Sequence, residues 1–194
     1  TQQKKQGLPL PGDYYLVSDS EETLKERMVN DDSFVRAYCK NNPHTGKSIS
    51  TKLWVGDYHS EDEFVNLAEK SNGIKRIAVL RADVDNLGHA FFAGFPDKYM
   101  TLSRTATLSR QLSLFFKYHI KSILEKGSYY IDHEEGHPRH AAIVYSGGDD
   151  LFIVGAWNDV IELAVDIKDS LKAYTENTLT ISGGIGLYTS TYPI

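Results

Sequence analysis

The sequence has a single cysteine, Cys39, among its 194 residues, so no disulfide can form within the chain. It has no apolar run approaching the ~18 residues of a membrane-spanning helix. It also lacks the repeats and biased tracts of collagen, coiled coils and disordered chains. Positive charge is scarce, because 21 Lys and Arg against 26 Asp and Glu give a net charge of −5. Proteins that coat nucleic acid are usually basic, so any nucleic-acid contact must be local or shared with partners.

The remaining composition is that of a globular protein, with 41% hydrophobic and 24% charged residues. The length suits one good-sized domain, or one domain with a smaller neighbour. We place the boundary at the Ser-Asn-Gly sequence of residues 71–73, which interrupts the pattern of strands and helices. The sequence therefore predicts a small α+β linker or adaptor segment over residues 1–73 and a larger domain over residues 74–194.

Short elements are predicted within residues 1–73. Stretches rich in aromatic and β-branched residues predict three strands, at 12–18, 33–39 and 51–58. Capping-box spacing predicts two helices, one after Ser18 and Glu21 to about residue 28, and one after Ser60 and Glu63 to about residue 70. A polar loop is expected between the second and third strands, over residues 41–50.

The larger domain shows a clearer order. Apolar stretches predict four strands, at 74–84, 140–145, 151–156 and 178–187. Amphipathic stretches predict three helices, at 86–93, 102–126 and 158–174. The order is β-α-α-β-β-α-β with the middle strands as a hairpin. It predicts a ferredoxin-like α+β fold, with an antiparallel sheet and helices on one face.

The tip of the predicted hairpin carries the sequence Ser146-Gly147-Gly148-Asp149-Asp150. A glycine-rich turn has a purely structural interpretation, but such a turn needs only one Asp. Two adjacent carboxylates repel each other, and acidic pairs of this kind suit Mg²⁺ or Mn²⁺ shared with phosphates. The glycines would let a triphosphate approach the backbone closely. From this motif alone, both interpretations stay open.

A second acidic motif follows the first strand of the larger domain. Asp85 has a simple interpretation as the N-cap of the next helix, whereas Asp83 ends a buried strand, where an unpaired carboxylate is costly. In the predicted strand order, Asp83 comes near Asp149 and Asp150. Three carboxylates from two strand ends suit a two-metal phosphoryl-transfer site. The backbone N–H groups that open the next helix could hold phosphate oxygens, at Asn86, Leu87 and Gly88.

Together the motifs resemble the palm domain of nucleotide cyclases and polymerases. More closely, the chain resembles the second palm domain of the large signature subunit of type III, Csm-type, CRISPR effector complexes. The resemblance is carried by LRADVDNLG at 80–88, YSGGDDLFIVGAW at 145–157 and ISGGIGLY at 181–188. The segment LWVGDY at 53–58 resembles the stretch before that palm. GGDD in place of GG(D/E)EF separates the chain from diguanylate cyclases.

The resemblance implies a cyclic oligoadenylate synthase, which uses ATP as substrate and two Mg²⁺ or Mn²⁺ ions when target RNA is bound. Asp83, Asp149 and Asp150 would be the catalytic metal ligands, joined by the Val84 carbonyl. Ser122 is our choice for contact with an adenine edge. The other nucleotide-binding positions would be Val84, Asn86, Leu87, Gly88, Ser146, Gly147 and Gly148.

The resemblance also implies partners. These are the other subunits of a cytoplasmic effector complex, crRNA and target RNA bound through that complex, and the rest of the same large subunit, including a first palm. No membrane is expected. The family's palm normally continues into a basic helix, so we expect this one to be truncated at its C-terminus and to synthesise little alone. The family often carries an HD nuclease domain, but no His-Asp dipeptide occurs in this chain.

Two alternatives stay open: a catalytically silent palm that acts as a scaffold in the ribonucleoprotein, and a diguanylate cyclase-like enzyme that uses GTP. The seven histidines are not spaced like the ligands of a zinc site. The acidic and histidine-containing run at 132–137 is expected to be a solvated loop.

Overall fold

The computed structural model describes residues 7–131 and 137–192, and the chain forms two compact units, Thr1–Leu53 and Trp54–Ile194. Residues 54–73 group with the second unit because Leu67 and Ala68 pack against Ile77 and Val154 of its sheet. The units therefore divide well before the boundary predicted after Gly73. A linker or adaptor role for residues 1–73 stays a prediction.

The first unit is built from short elements around a small core of Met28, Ala37 and Cys39. Its elements are β1 (Leu8–Leu10), β2 (Tyr14–Leu16), α1 (Glu21–Asn30), β3 (Tyr38–Lys40) and β4 (Thr51–Leu53). The first two strands pair antiparallel and the last two pair parallel. The α1 cap is Ser20, whose Oγ accepts the Thr23 N–H at 3.3 Å, so the predicted capping box at Ser18 was wrong by two positions.

The second unit carries the predicted palm order. Its elements are α2 (Phe64–Glu69), β5 (Ile77–Val84), α3 (Leu87–Ala93), α4 (Leu102–Leu114), α5 (Ile120–Glu125), β6 (Ala141–Ser146), β7 (Asp150–Ala156), α6 (Trp157–Tyr174) and β8 (Ile181–Tyr188). The strands form one antiparallel sheet in the order β6-β7-β5-β8. This order confirms the ferredoxin-like α+β fold.

The two faces of the sheet are covered differently, because alternate residues of β5 point to opposite sides. Ala78 and Leu80 join the main core, which α4, α5 and α6 supply with residues such as Leu112, Leu124 and Leu163. Ile77 and Val79 of β5 face α2 instead, which packs on the other side. The helices therefore do not all lie on one face, since α2 brings its own buried apolar pair. It begins at Phe64 without the side-chain cap predicted from Ser60 and Glu63.

The predicted helix over residues 102–126 is present but is not uniformly α-helical. Between α4 and α5, residues Phe115–His119 form a π-helical turn. Phe115 and Phe116 are buried within this turn and fill the centre of the core. Within the part of the chain that the structure describes, no helix is both long and apolar enough to cross a bilayer.

Candidate active site

The register of the sheet places three carboxylates together where β5 and β7 meet the hairpin turn. Asp83 pairs directly with Asp150, and the Val84 N–H donates to the Asp149 carbonyl oxygen at 3.1 Å. Residues paired across an antiparallel ladder project to the same face. The juxtaposition predicted from the sequence is therefore present. We call Asp83, Asp149 and Asp150 the acidic tip.

Negative charge accumulates at the acidic tip. Partial burial raises the pKa of the Asp149 carboxyl, and the charges of Asp83 and Asp150 raise it further. Among the described residues, none of the three carboxylates forms an ion pair. A group of oxygen ligands that repel one another in this way fits a hard divalent cation, which relieves the repulsion. The residues present thus suit Mg²⁺ or Mn²⁺.

The glycine turn before Asp149 is held by backbone and side-chain contacts. The Gly147 N–H donates to the Asp150 carbonyl oxygen at 2.8 Å. A Cβ at Gly147 would lie 2.5 Å from both the Tyr145 hydroxyl oxygen and Asp150 Oδ1, so a larger residue there would displace these two side chains. The Asp150 charge raises the pKa of Tyr145, whose hydroxyl donates to that carboxylate. Ser146 Oγ donates to the Phe116 carbonyl oxygen at 2.5 Å and ties the tip to the π-helical turn.

The start of α3 lies beside this tip. Asn86 precedes the helix in the left-handed conformation, with φ of 52°, and the side chain of Asp85 does not cap it. Asp85 instead accepts the Thr180 hydroxyl at 2.6 Å, and hydrogen bonds from Ser182 and Thr180 lower its pKa. The interpretation of Asp85 as the N-cap was wrong, because Thr180, just before β8, and Ser182, within it, supply its carboxylate with donors. The first N–H groups of α3 have no partners within the helix and remain able to donate.

The two predicted serines are placed differently. Ser146 lies at the tip, whereas Ser122 lies on α5. A Cβ at Gly148 would first meet Ser113, at 3.6 Å from its Oγ, so α4 is the helix that faces the glycine turn. Ser122 follows Ser113 by about 2.5 helical turns. Its contact with an adenine stays a prediction.

Sequence reasoning missed three residues beside the acidic tip. A cavity of about 200 Å³ is lined by Arg81, Ala82, Asp83, Asp150, Leu151 and Ser182. Arg81 stands two residues before Asp83, so the alternation of side chains along a strand could have placed it on the same face. Ser182 pairs directly with Asp83, which the predicted strand order alone could not specify. The third residue is Tyr145, which the hairpin register brings to Asp150.

A second group of candidate ligands lies at the opposite end of the hairpin. Side-chain ligand atoms of His137, His140 and Asp159 all lie within 4.8 Å of one another, close enough to hold a metal ion. The spacing of the histidines did not predict a zinc site, yet the fold brings two of them beside Asp159. The signal was the His-x-x-His spacing at 137 and 140, and Asp159 became a neighbour only through the hairpin. Residues 132–136 of the run expected to be a loop lie outside the described residues.

Comparison with known proteins agrees with this geometry. Residues 76–194 match the family model of the Cas10/Cmr2 second palm domain. The chain belongs to this family. It is 42% identical over 198 residues to the CRISPR system single-strand-specific deoxyribonuclease Cas10/Csm1 (subtype III-A) of Mycobacterium tuberculosis, covering 97% of this chain. The alignment spans 24% of that relative, so the chain corresponds to about a quarter of its length.

Solved structures of Csm1 share the palm. The Csm1–Csm4 cassette in complex with pppApApA has a TM-score of 0.71 and 32% identity, over 80% of this chain and 24% of that one. The cassette in complex with cA4 has a TM-score of 0.70 and 32% identity, with the same coverage. The cassette with one ATP also has a TM-score of 0.70 and 32% identity, over 81% of this chain and 24% of that one.

Proposed function

We propose that this palm is the nucleotidyl-transfer centre of a type III CRISPR large subunit that converts ATP into cyclic oligoadenylates. The pairing of Asp83 with Asp150, next to Asp149, carries the proposal. The three carboxylates of the acidic tip would hold two Mg²⁺ or Mn²⁺ ions, with the Val84 carbonyl as a further ligand. Bound ions would lower the pKa of an attacking ribose hydroxyl and neutralise the phosphates.

The chain's own residues would position the substrate. The Gly147–Gly148 turn would admit the triphosphate, and the N–H groups of Asn86, Leu87 and Gly88 would donate to its oxygens. Arg81, beside Asp83 in the cavity, would bring a guanidinium to the phosphates. The hydroxyl oxygen of one adenylate would attack the α-phosphorus of the next ATP, and pyrophosphate would leave.

The solved relatives support adenine nucleotides as ligands. Structures of the Csm1–Csm4 cassette contain one ATP, the linear pppApApA and the cyclic cA4, which suit substrate, intermediate and product. We therefore assign ATP rather than GTP to this palm, which disfavours the diguanylate cyclase-like alternative. The deoxyribonuclease activity in the name of the Mycobacterium relative is not assigned to this segment.

The partners follow from the same relatives. We propose that the chain works within the full large subunit, beside a first palm and a Csm4-like subunit, in the cytoplasm. The crRNA and target RNA would bind through the complex, in keeping with the net charge of −5 on this chain. Target RNA would then control synthesis from a distance rather than by contact with the acidic tip.

The test is ATP turnover by the complete complex, with Mn²⁺ and with or without complementary target RNA. We expect RNA-dependent cyclic oligoadenylate that disappears in the Asp149→Ala/Asp150→Ala double variant. A matched control is Asp62→Ala/Glu63→Ala, which removes another adjacent acidic pair that is exposed. The site assignment fails if the tip variant still makes product. A wild-type complex that binds ATP but makes none would favour the scaffold alternative.

A further inference from the structure

A buried ionic cluster lies at the base of the β6–β7 hairpin, away from the acidic tip. Arg139, fully buried, donates to Glu162 Oε2 and, at 2.9 Å, to Asp166 Oδ2. Both carboxylates also accept backbone N–H groups, Asp166 from Ser128 at 3.1 Å and Glu162 from Ile131 at 2.9 Å. We call Arg139, Glu162 and Asp166 the arginine cluster.

A third buried carboxylate, Asp159, accepts the side-chain N–H of Asn158 at 3.1 Å but is not hydrogen-bonded to Arg139. It is 1% exposed, and its nearest approach to the Arg139 guanidinium is 4.0 Å, beyond hydrogen-bond distance. Arg139 is thus the one cation beside three buried carboxylates among the described residues, so the formal charge of the group is −2. Asp159 accepts the backbone N–H of His140 at 2.7 Å, which sets its carboxylate next to that residue.

Two imidazoles complete the neighbourhood. His140 Nδ1 is buried and has no hydrogen-bond partner among the described residues, which is unusual for a buried polar atom. The ring of His137 stacks beside it, with centroids 6.1 Å apart and an interplanar angle of 18°. His137 Nδ1 lies 3.1 Å from the Pro138 carbonyl oxygen, so a proton on that nitrogen leaves Nε2 as an acceptor.

We propose that His137, His140 and Asp159 bind a divalent transition-metal ion, with Zn²⁺ as the best fit. Two imidazoles and one carboxylate form a ligand set that Zn²⁺ favours, and a fourth position would remain for water. The ligand atoms lie within 4.8 Å of one another, against about 3.4 Å expected around a tetrahedral Zn²⁺ with bonds of about 2.1 Å. Small side-chain rotations close that difference.

The ion would offset the surplus negative charge and give the orphaned His140 nitrogen a partner. Its role is structural, because the ligands flank the hairpin. His140 precedes β6, and Asp159 follows β7 in the first turn of α6. His140 also accepts the Ala156 N–H at 2.8 Å through its carbonyl oxygen, so the two strands already meet at this point. The ion would fasten the base of the hairpin whose tip carries Asp149 and Asp150.

Cobalt(II) titration of the intact large subunit, stripped of metal by a chelator, tests the proposal. We use Asp149→Ala/Asp150→Ala as the background, so that the acidic tip cannot contribute. We expect one equivalent of Co²⁺ more than in the His137→Ala variant, with the visible absorption of a tetrahedral site with nitrogen and oxygen ligands, displaced by Zn²⁺. His137→Ala, which changes a half-buried side chain, should weaken binding by more than about 100-fold, since even outer-shell changes cost 10–100-fold.

His59→Ala is the matched control, because this exposed histidine lies outside the cluster. It should leave the Co²⁺ spectrum and affinity unchanged. Zn²⁺ should also raise the Tm of the background protein but not that of its His137→Ala variant. The proposal is overturned if the background binds no Co²⁺, or if His137→Ala binds it with the same spectrum and affinity. If Asp159→Asn folds and binds Co²⁺ unchanged, the proposed ligand set is wrong.

Discussion

Carboxylates cluster at both ends of the β6–β7 hairpin, but the two clusters differ in burial and in hydrogen bonding. At the base, the carboxylates of the arginine cluster are buried and receive hydrogen bonds from Arg139 and backbone N–H groups. At the acidic tip, the carboxylates are partly exposed and repel one another. The protein can fold with a carboxylate buried only if that carboxylate has hydrogen-bond or ionic partners. A partly exposed carboxylate at the tip can lack such partners and is then available to bind a metal ion.

Loss of the arginine at the base should have the largest effect on stability. Arg139→Met leaves the carboxylates of the arginine cluster buried without their counter-charge, and we expect it to lower the free energy of unfolding by about 3–5 kcal/mol. Urea denaturation followed by circular dichroism measures this. Arg104→Met is the control: Arg104 is exposed and its guanidinium lies over the Tyr99 ring, 4.6 Å from the centroid. Equal midpoints for the two variants would contradict the account of the base.

Removing one charge at each end should change stability in opposite directions. Asp166→Asn weakens the bonds from Arg139 and two backbone N–H groups, so it should destabilise by about 1.5–3 kcal/mol. Asp149→Asn relieves repulsion at the tip and should stabilise by up to about 0.5 kcal/mol. The unfolding midpoints must be compared without divalent cations. A loss of stability in Asp149→Asn would show that its carboxylate is engaged in the fold.

The pKa of the Asp149 carboxyl provides a more sensitive test of the difference between the acidic tip and the base of the hairpin. Its pKa is raised by burial and by neighbouring carboxylates, so the folded state binds the proton more tightly than the unfolded state. The resulting penalty on stability is absent below the ordinary Asp pKa of about 3.9 and grows as pH rises through the raised value. Carboxyl-detected NMR should show the raised pKa, and Mg²⁺ should lower it. If the apparent pKa of Asp149 did not change when Mg²⁺ was added, Asp149 would not be a metal ligand.

The smallest expected effect concerns Asp85, whose pKa is shifted the other way. Hydrogen bonds from Ser182 and Thr180 hold the pKa of this carboxyl low. Thr180→Val removes the 2.6 Å bond and should move the pKa upward, toward the ordinary Asp value, while Ser182 keeps it partly lowered. The same NMR titration reports both carboxyls, so Asp149 is an internal control. No movement of the Asp85 pKa would assign its shift to Ser182 alone.

Much of the palm could be predicted because its signals are local. The apolar period of each strand and the glycine turn fix the hairpin, and the strand order then brings Asp83 to Asp150. The order of helices and strands follows from the same patterns, although the bounds shift by a few residues. Predicting these features requires only patterns among residues that are close in sequence, together with the strand order of the ferredoxin-like fold.

The features that sequence reasoning missed depend on packing between distant segments. The choice of Ser20 over Ser18 depends on where α1 begins, because only Ser18 has the Glu three residues later that marks a capping box. The position of α2 opposite the other helices depends on Leu67 and Ala68 finding the second face of the sheet. Asp159 meets His140 only after β6 and β7 have paired. The spacing of residues within one segment cannot predict these contacts between distant segments.

The π-helical turn at Phe115–His119 determines how this part of the chain responds to the deletion of a residue. A π turn accommodates about one residue more than an α turn, so α5 is rotated by about 100° from the direction that an uninterrupted helix would give it. Deleting one residue here would restore regular α-helix and swing the buried Ile120 and Leu124 off the core. The turn therefore has the geometry of a one-residue insertion, and its removal alone would displace the buried residues that follow it. Frame-preserving deletions across 115–119 should therefore be tolerated less well than conservative substitutions at the same positions.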